Sequence, residues 1–481
     1  MAEAIEGEVC DEIFNSGSVQ SLLEELIESI YENQEPKQTD QEMYEQNLIE
    51  STSNVQALNS DYQYKNQLHS FGSEVSFNLN SFDRKVADIS SKNLNITSLP
   101  TSILNRIFYY ISCKDLVLNV ALVCKKFLAL IEDPIVWRCR LAEEYNRPYP
   151  LLPLDSETFS DVHYWQKASV SQESNAQIWK KGKYTTKTFK DVHFSEIDSV
   201  WLSTESRFAF SGGRDRQIVQ WDLYNEANSR KFLGHAGWVW NLKGLNDRDE
   251  MLVSASWDNT VKFWNIETTH CFLTHKLGNA VLSLAQFDKG ERRDVVYYSL
   301  FNRIIGSFDS RSPETGTTIS KTDHRKAVLC LQTYGHNYLF SGSEDSTIKC
   351  FDVRTNSLVN QIKLRNIVLS MSCKDEILLA SSKNGTVFCI DPKTCTVSYK
   401  WENMHDHNVT CIQYDSGAII TGSGDKKVKI SEPCVGGEVV RTLSDHNMSV
   451  TDLNYRNGVL VTASSDQTVV AYIPEKLAEL E

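Results

Sequence analysis

Several things are missing from this 481-residue chain, and each absence narrows its role. Its 12 cysteines include no Cys-x-x-Cys pair and no Cys/His spacing suited to a metal. They read as buried thiols of a reducing compartment, with no metal site and no cofactor expected. No apolar run reaches the roughly 18 residues of a membrane span, and the acidic start MAEAIEGEVCDEIF is unlike a secretory signal. A cytoplasmic or nuclear location is expected. Positive charge is also scarce: the net charge is -14, and residues 1–98 hold 18 acidic against 5 basic residues, leaving 45 against 44 for the rest. That near-neutral remainder shows no basic stripe, so neither nucleic acid nor an anionic membrane is an expected partner.

What is present changes along the chain. Residues 1–96 are rich in Glu, Gln, Asn and Ser and predict a disordered acidic tail. One island, SLLEELIESIY over 21–31, places Leu22, Leu23, Leu26, Ile27 and Ile30 on one helical face, with Ser21 and Glu24 spaced as a capping box. It reads either as a transient helix or as one that docks a partner or a second copy. From Leu99 the apolar residues recur at helical spacing: Ile103, Leu104, Ile107, Phe108 and Ile111, then Leu116, Val120, Val123 and Phe127. Pro100 suits a first helical turn, while Asp115 and Asp133-Pro134 mark breaks between short helices. About 45 residues this apolar have too few layers to hide every face, so a partner helix is expected. Residues 142–182 predict a helical linker capped at Ser160 or Asp155, with Trp165 and Trp179 as packing anchors.

The stretch SASWDNTVKFW places Ser254 and Asp258 downstream of Gly234-His235. A serine, a histidine and an aspartate are the parts of a hydrolytic triad. The motif recurs, however, centred on Asp215, Asp258, Asn302, Asp345, Asn384, Asp425 and Asp466, at steps of 39 to 44 residues. That is the period of WD-type propeller blades, and it predicts seven of them over 183–473, followed by a short tail at 474–481. Five units keep the hydroxyl, the His and the Asp together: His193, Ser211 and Asp215; His235, Ser254 and Asp258; His324, Ser341 and Asp345; His405, Thr421 and Asp425; His446, Thr462 and Asp466. The other two units lose all three, with Tyr298 and Ala380 for the hydroxyl and Leu277 and Leu364 for the His. An all-or-none pattern marks a buried hydrogen-bond network, because a half-satisfied one costs more than an apolar replacement. No catalytic residue is expected. An aromatic completes the set at Trp221, Trp264, Phe308, Phe351 and Tyr472, whereas Ile390 and Ser431 depart. The last unit lacks a fourth strand, and Lys183 to Phe189 alternates in a way that suits it to that place.

Two resemblances follow. Leu99-Pro100, Ile103-Leu104, Ile107, Ile111, Asp115-Leu116, Val123-Cys124, Leu130 and Trp137 resemble the F-box pattern over 97–141, with Phe127 where many F-boxes have Trp. With the repeats, the chain resembles the F-box/WD-repeat family. This implies a seven-bladed all-β WD-repeat propeller preceded by a small all-α F-box domain. It further implies a non-catalytic substrate receptor: Leu99, Pro100, Ile103, Leu104 and Ile107 would bind the Skp adaptor of a cullin-RING ubiquitin ligase, and the propeller a target protein. A scaffold unconnected with ubiquitin is the alternative. The residues before the turn position, with Trp238, give a candidate target-binding rim of Arg214, Trp238, Trp257 and Phe301. These aromatics either bind a target or cover the ends of their own blades. Arg214 and Arg216 are a thin supply for a phosphorylated ligand.

Overall fold

The computed structural model describes residues 96–475, except 146, 148, 153, 155, 226–227, 246–249, 288–291, 293, 312–316 and 320–321. The tail with its 21–31 island, and 476–481, lie outside the described residues.

Seven four-stranded antiparallel sheets succeed one another from Ile197. The first six blades, over 197–232, 239–276, 281–319, 328–363, 368–401 and 409–443, are each built from four consecutive strands. The seventh supplies three of its own, Val450–Arg456, Val459–Ser464 and Val469–Pro474. Its fourth is Tyr184–Phe189, the first strand of the chain, in register from Tyr184 opposite Pro474 to Phe189 opposite Val469. The ring closes through this pairing. Middle strands such as Val459–Ser464 and Ile377–Ser382 are buried throughout, as expected of strands packed on both faces between neighbouring blades. Where blades approach most closely a side chain is excluded. A Cβ on Gly422 would lie 2.8 Å from Val450 Cγ1 of the next blade, and one on Gly212 2.6 Å from Val239 Cγ1.

Every inner strand carries a bulge just after its first residue, as between Ile197 and Ser199 or Val239 and Asn241. The displaced residues, among them Asp198, Trp240 and Leu282, line a central channel of about 1930 Å³.

Short helices precede the ring: α1 (Thr101–Tyr109), α2 (Cys113–Leu118), α3 (Lys125–Ile131), α4 (Pro134–Tyr145), α5 (Ser156–Ser160) and α6 (Val162–Asn175), the last continuing into a π-turn to Lys180. Two expected landmarks move. Asp115 lies within the first turn of α2, whose N-cap is Ser112, accepting from the Asp115 amide at 3.1 Å. The long linker helix is capped by Asp161, which accepts from the His163 amide at 3.0 Å; Ser160 ends α5 instead. The linker is also more than a spacer. Lys167 pairs with Asp375 at 2.9 Å, the Ser171 hydroxyl donates to Asp415 at 2.6 Å, and the Tyr455 hydroxyl donates to Asn175 at 2.8 Å. Trp179 is fully buried with its ring 5.3 Å from Tyr184 and 6.4 Å from Tyr472, and Tyr149, Leu151 and Leu152 are buried ahead of it. Glu173 of the same helix accepts from the Cys113 amide at 2.6 Å, a carboxylate at the N-terminus of α2 where the helix dipole favours it.

Removing residues 183–189 exposes a full sheet edge and takes Tyr184 from Trp179. The melting temperature should fall by roughly 10 °C or more; an unchanged value in differential scanning fluorimetry would refute closure by this strand.

Candidate functional site

The tight turn joining the second and third strands of each blade is built the same way seven times. Its third residue is left-handed, with φ from 63° to 83° at Arg216, Asn259, Arg303, Ser346, Gly385, Lys426 and Gln467. The preceding Asp stabilises it by accepting from the amide two residues on, as Asp258 Oδ1 does from Thr260 at 2.9 Å. Its second oxygen holds the His of the incoming loop. In blade two Trp264 Nε1 donates to Ser254 Oγ (2.8 Å), Ser254 Oγ meets His235 Nε2 (2.7 Å) and His235 Nδ1 meets Asp258 Oδ2 (2.7 Å). This chain fixes the tautomer: Nδ1 donates to the carboxylate and Nε2 accepts the serine proton. Blade one repeats it through Trp221, Ser211, His193 and Asp215 at 2.7 to 2.8 Å. Blade four, through Ser341, His324 and Asp345, ends at Phe351, which has no donor.

Blade six keeps His405 between Thr421 and Asp425, each at 2.8 Å, although Ser431 replaces the aromatic and is buried. Blade seven is looser: His446 Nε2 meets Thr462 at 2.8 Å and Nδ1 meets Thr468 at 3.1 Å, while Asp466 stands 3.5 Å away. Tyr472 donates instead to Asp445 at 2.8 Å. Blade three substitutes stacking for hydrogen bonds, with Tyr298 and Phe308 rings 4.6 Å apart. In blade five Asn384 still accepts from the Thr386 amide, so the turn survives without the His. Ser254 is wholly buried, which leaves no approach for a substrate.

Burial lowers the His235 pKa, only partly offset by Asp258. Burial would raise the Asp258 carboxyl, but hydrogen bonds from His235, Thr260 and the Ala236 amide outweigh it and hold the carboxyl well below its ordinary value. Both groups bind protons more readily in the unfolded chain, so their contribution is complete above about pH 6.5 and is lost as pH falls. His235→Leu should cost about 2–4 kcal/mol by stranding Ser254 and Asp258. The triple change H235L/S254A/D258N should cost less than the three single changes added together. The wild type's advantage over this triple variant should also shrink between pH 6.5 and 4. Additive losses in urea denaturation, or an advantage independent of pH, would contradict a coupled network.

The turns and incoming loops share one face, since the residue before each turn Asp donates its amide to the loop. Trp257 donates to the Trp238 carbonyl at 2.9 Å, Phe301 to Ala280 at 2.9 Å and Arg214 to Glu196 at 2.8 Å. On this rim Trp257 sits 5.7 Å from Trp238, 5.9 Å from Trp240 and 5.8 Å from Phe301, centroid to centroid. Trp238, Trp257 and Phe301 remain 41 %, 38 % and 49 % exposed; they pack on one another yet leave a large apolar surface in water. Arg214 lies 4.9 Å from the Trp238 ring and is held by Asp198 at 3.0 Å and Glu196 at 3.0 Å. Its charge is already answered. The sequence reading omitted Trp240, the bulged residue of its strand; aligning the second position of all seven inner strands would have singled out its aromatic ring.

The opposite face, at the far ends of these strands, carries α6, which meets Asp375, Asp415 and Tyr455. Ahead of it, Pro100 and Ile103 are exposed, and Leu99 and Ile107 are half-buried. Leu104 is 0 % exposed, a correction to its place among candidate adaptor contacts, since it has no surface to offer. Leu118, Leu122 and Leu128 are exposed and were not singled out. Among the described residues no helix is long and apolar enough to cross a membrane, and no His/Cys/Asp/Glu cluster has the arrangement to hold a metal ion.

Residues 96–142 match the F-box-like family model, and 184–222, 227–265, 316–352 and 437–472 match the WD domain, G-beta repeat. The chain carries an F-box-like domain and a WD-repeat propeller. It is 29 % identical over 370 residues to F-box/WD repeat-containing protein 9 of Bos taurus, covering 73 % of this chain and 77 % of that protein. The human protein of the same name is 29 % identical over 367 residues, covering 73 % and 76 %. F-box/WD repeat-containing protein mec-15 of Caenorhabditis elegans is 26 % identical over 343 residues, covering 66 % and 82 %. These relatives are named for the same two modules that the family models match in this chain.

Proposed function

We propose that the protein is the substrate-recognition subunit of a Skp-cullin-F-box ubiquitin ligase. The F-box-like domain would hold the Skp adaptor through Leu99, Pro100, Ile103 and Ile107, and the propeller rim would hold a target protein. Catalysis would come from proximity, the reactive cysteines belonging to other subunits. The observation carrying this reading is the docked linker: α6 closes on one face of blades five to seven and leaves the aromatic rim open on the other. A receptor needs that division, with one face committed to its own chain and one free for cargo. The cytoplasm or nucleus, where such ligases operate, would be its location.

Pro100→Ala/Ile103→Glu places both changes at exposed positions, so folding should survive. Adaptor captured with the purified protein from cells should fall at least tenfold, with an unchanged melting temperature. Undiminished capture would refute this role for the F-box-like domain, and no capture by the intact protein would favour a scaffold without ubiquitin chemistry.

A further inference from the structure

The same repeated geometry gathers positive charge that is dispersed in the sequence. Arg303 and Lys426 occupy the left-handed position of their turns, Lys383 precedes its turn Asn, and Arg325, Lys326 and Arg365 follow the His or Leu of the incoming loop. Shared turn geometry puts all six on the rim of blades three to six, and all six are exposed. The carboxylates of these loops outside the networks are Asp323, Glu344, Glu402 and Asp406; Glu344 stands 3.6 Å from Lys326, and Glu402 is paired with Lys400. The crescent starts at Arg303, two residues from Phe301, so it continues directly from the aromatic sector.

We propose that this face takes an extended acidic segment of a target protein, with one aromatic or leucine side chain seated against Trp238, Trp257 and Phe301 and several Asp or Glu residues lying along blades three to six. The inference rests on the receptor reading above and adds the chemistry of the cargo. Charge complementarity decides the occupant. One phosphate needs several donors converging on a point, whereas these cations come one or two per blade, and the one Arg beside the aromatics is occupied by Asp198 and Glu196. Cations spread along an arc match carboxylates spread along a strand. The apolar anchor supplies affinity, and the crescent supplies direction and rate of encounter.

The test is selection from a random dodecamer library on the immobilised full-length protein, with affinities of the enriched peptides measured by fluorescence polarisation. Enriched peptides should carry an aromatic or Leu with at least three Asp or Glu on one side, and replacing those acids by Asn or Gln should weaken binding at least tenfold. Trp257→Ala should weaken binding tenfold or more. R325E/R365E/K383E should invert the selection towards Lys and Arg, and Arg325→Glu alone should weaken it if the triple variant does not fold. Enrichment without acidic bias, no enrichment, tighter binding once a phosphoserine replaces an acid, or tighter binding of oligo(U) than of the acidic peptides would each overturn the proposal. Adaptor capture by the same preparations separates the two readings: capture without peptide binding leaves the receptor standing and removes this ligand, while the reverse removes the ligase role alone.

Discussion

The strand 184–189 pairing with the last strand of the chain is the constraint on which the rest depends. A ring of seven sheets has no hydrophobic centre; each blade is buried by its two neighbours, and an opening anywhere exposes two blade faces. The chain closes that opening with residues next to the linker, so ring closure and docking of the linker are one event. Tyr184 shows the link: it pairs with Pro474 and packs its ring on Trp179. The junction of blades seven and one is sealed again on the channel side, where half-buried Asp452 accepts from the Val200 amide at 2.9 Å. Burial raises this carboxyl to about 6, against the hydrogen bonds that lower it, so Asp452 opposes the His networks in its response to pH.

Those networks do local work on this closed frame. Each ties the loop entering a blade to the turn above the middle strands, and so sets the height of the residues that the rim displays. Turn formation and His capture use different oxygens of the same Asp. Asn384 keeps the first function and gives up the second, which explains how blade five discards the His without losing its shape.

Much of this was legible in the sequence, because a period of about 40 residues aligns positions that the fold makes equivalent. The seven blades, the closing strand and the all-or-none sets came from that alignment, as did the aromatic positions. The period speaks less of what lies off the aligned positions. Trp240 escaped notice because a bulge shifts its strand by one residue, turning an expected blade residue toward the channel. The basic crescent was hidden by its spacing, since charges some 20 to 40 residues apart look dilute until the turns bring them to one arc. In the helices Leu104 was read as a contact although a two-residue aliphatic pair on a helix must point in two directions, one of them inward. Ser112 and Asp161 were missed as caps because several Ser and Asp stood within one turn of each end.

The inner-strand bulge has an evolutionary side. One residue per blade, from Asp198 through Trp240 to Leu282 and onward round the ring, lines the channel, and two of them also bridge to the next blade, the Thr410 hydroxyl donating to the Val450 carbonyl and the Thr451 hydroxyl to the Ile197 carbonyl at 2.6 Å each. A position bonded to the next blade is held to its residue type, whereas a leucine there, as at Leu282, Leu329 and Leu369, carries no such bond. The wall of the channel can therefore diverge between relatives where no bond crosses a junction, and a ring inherited for its stability can acquire a new interior one permitted residue at a time.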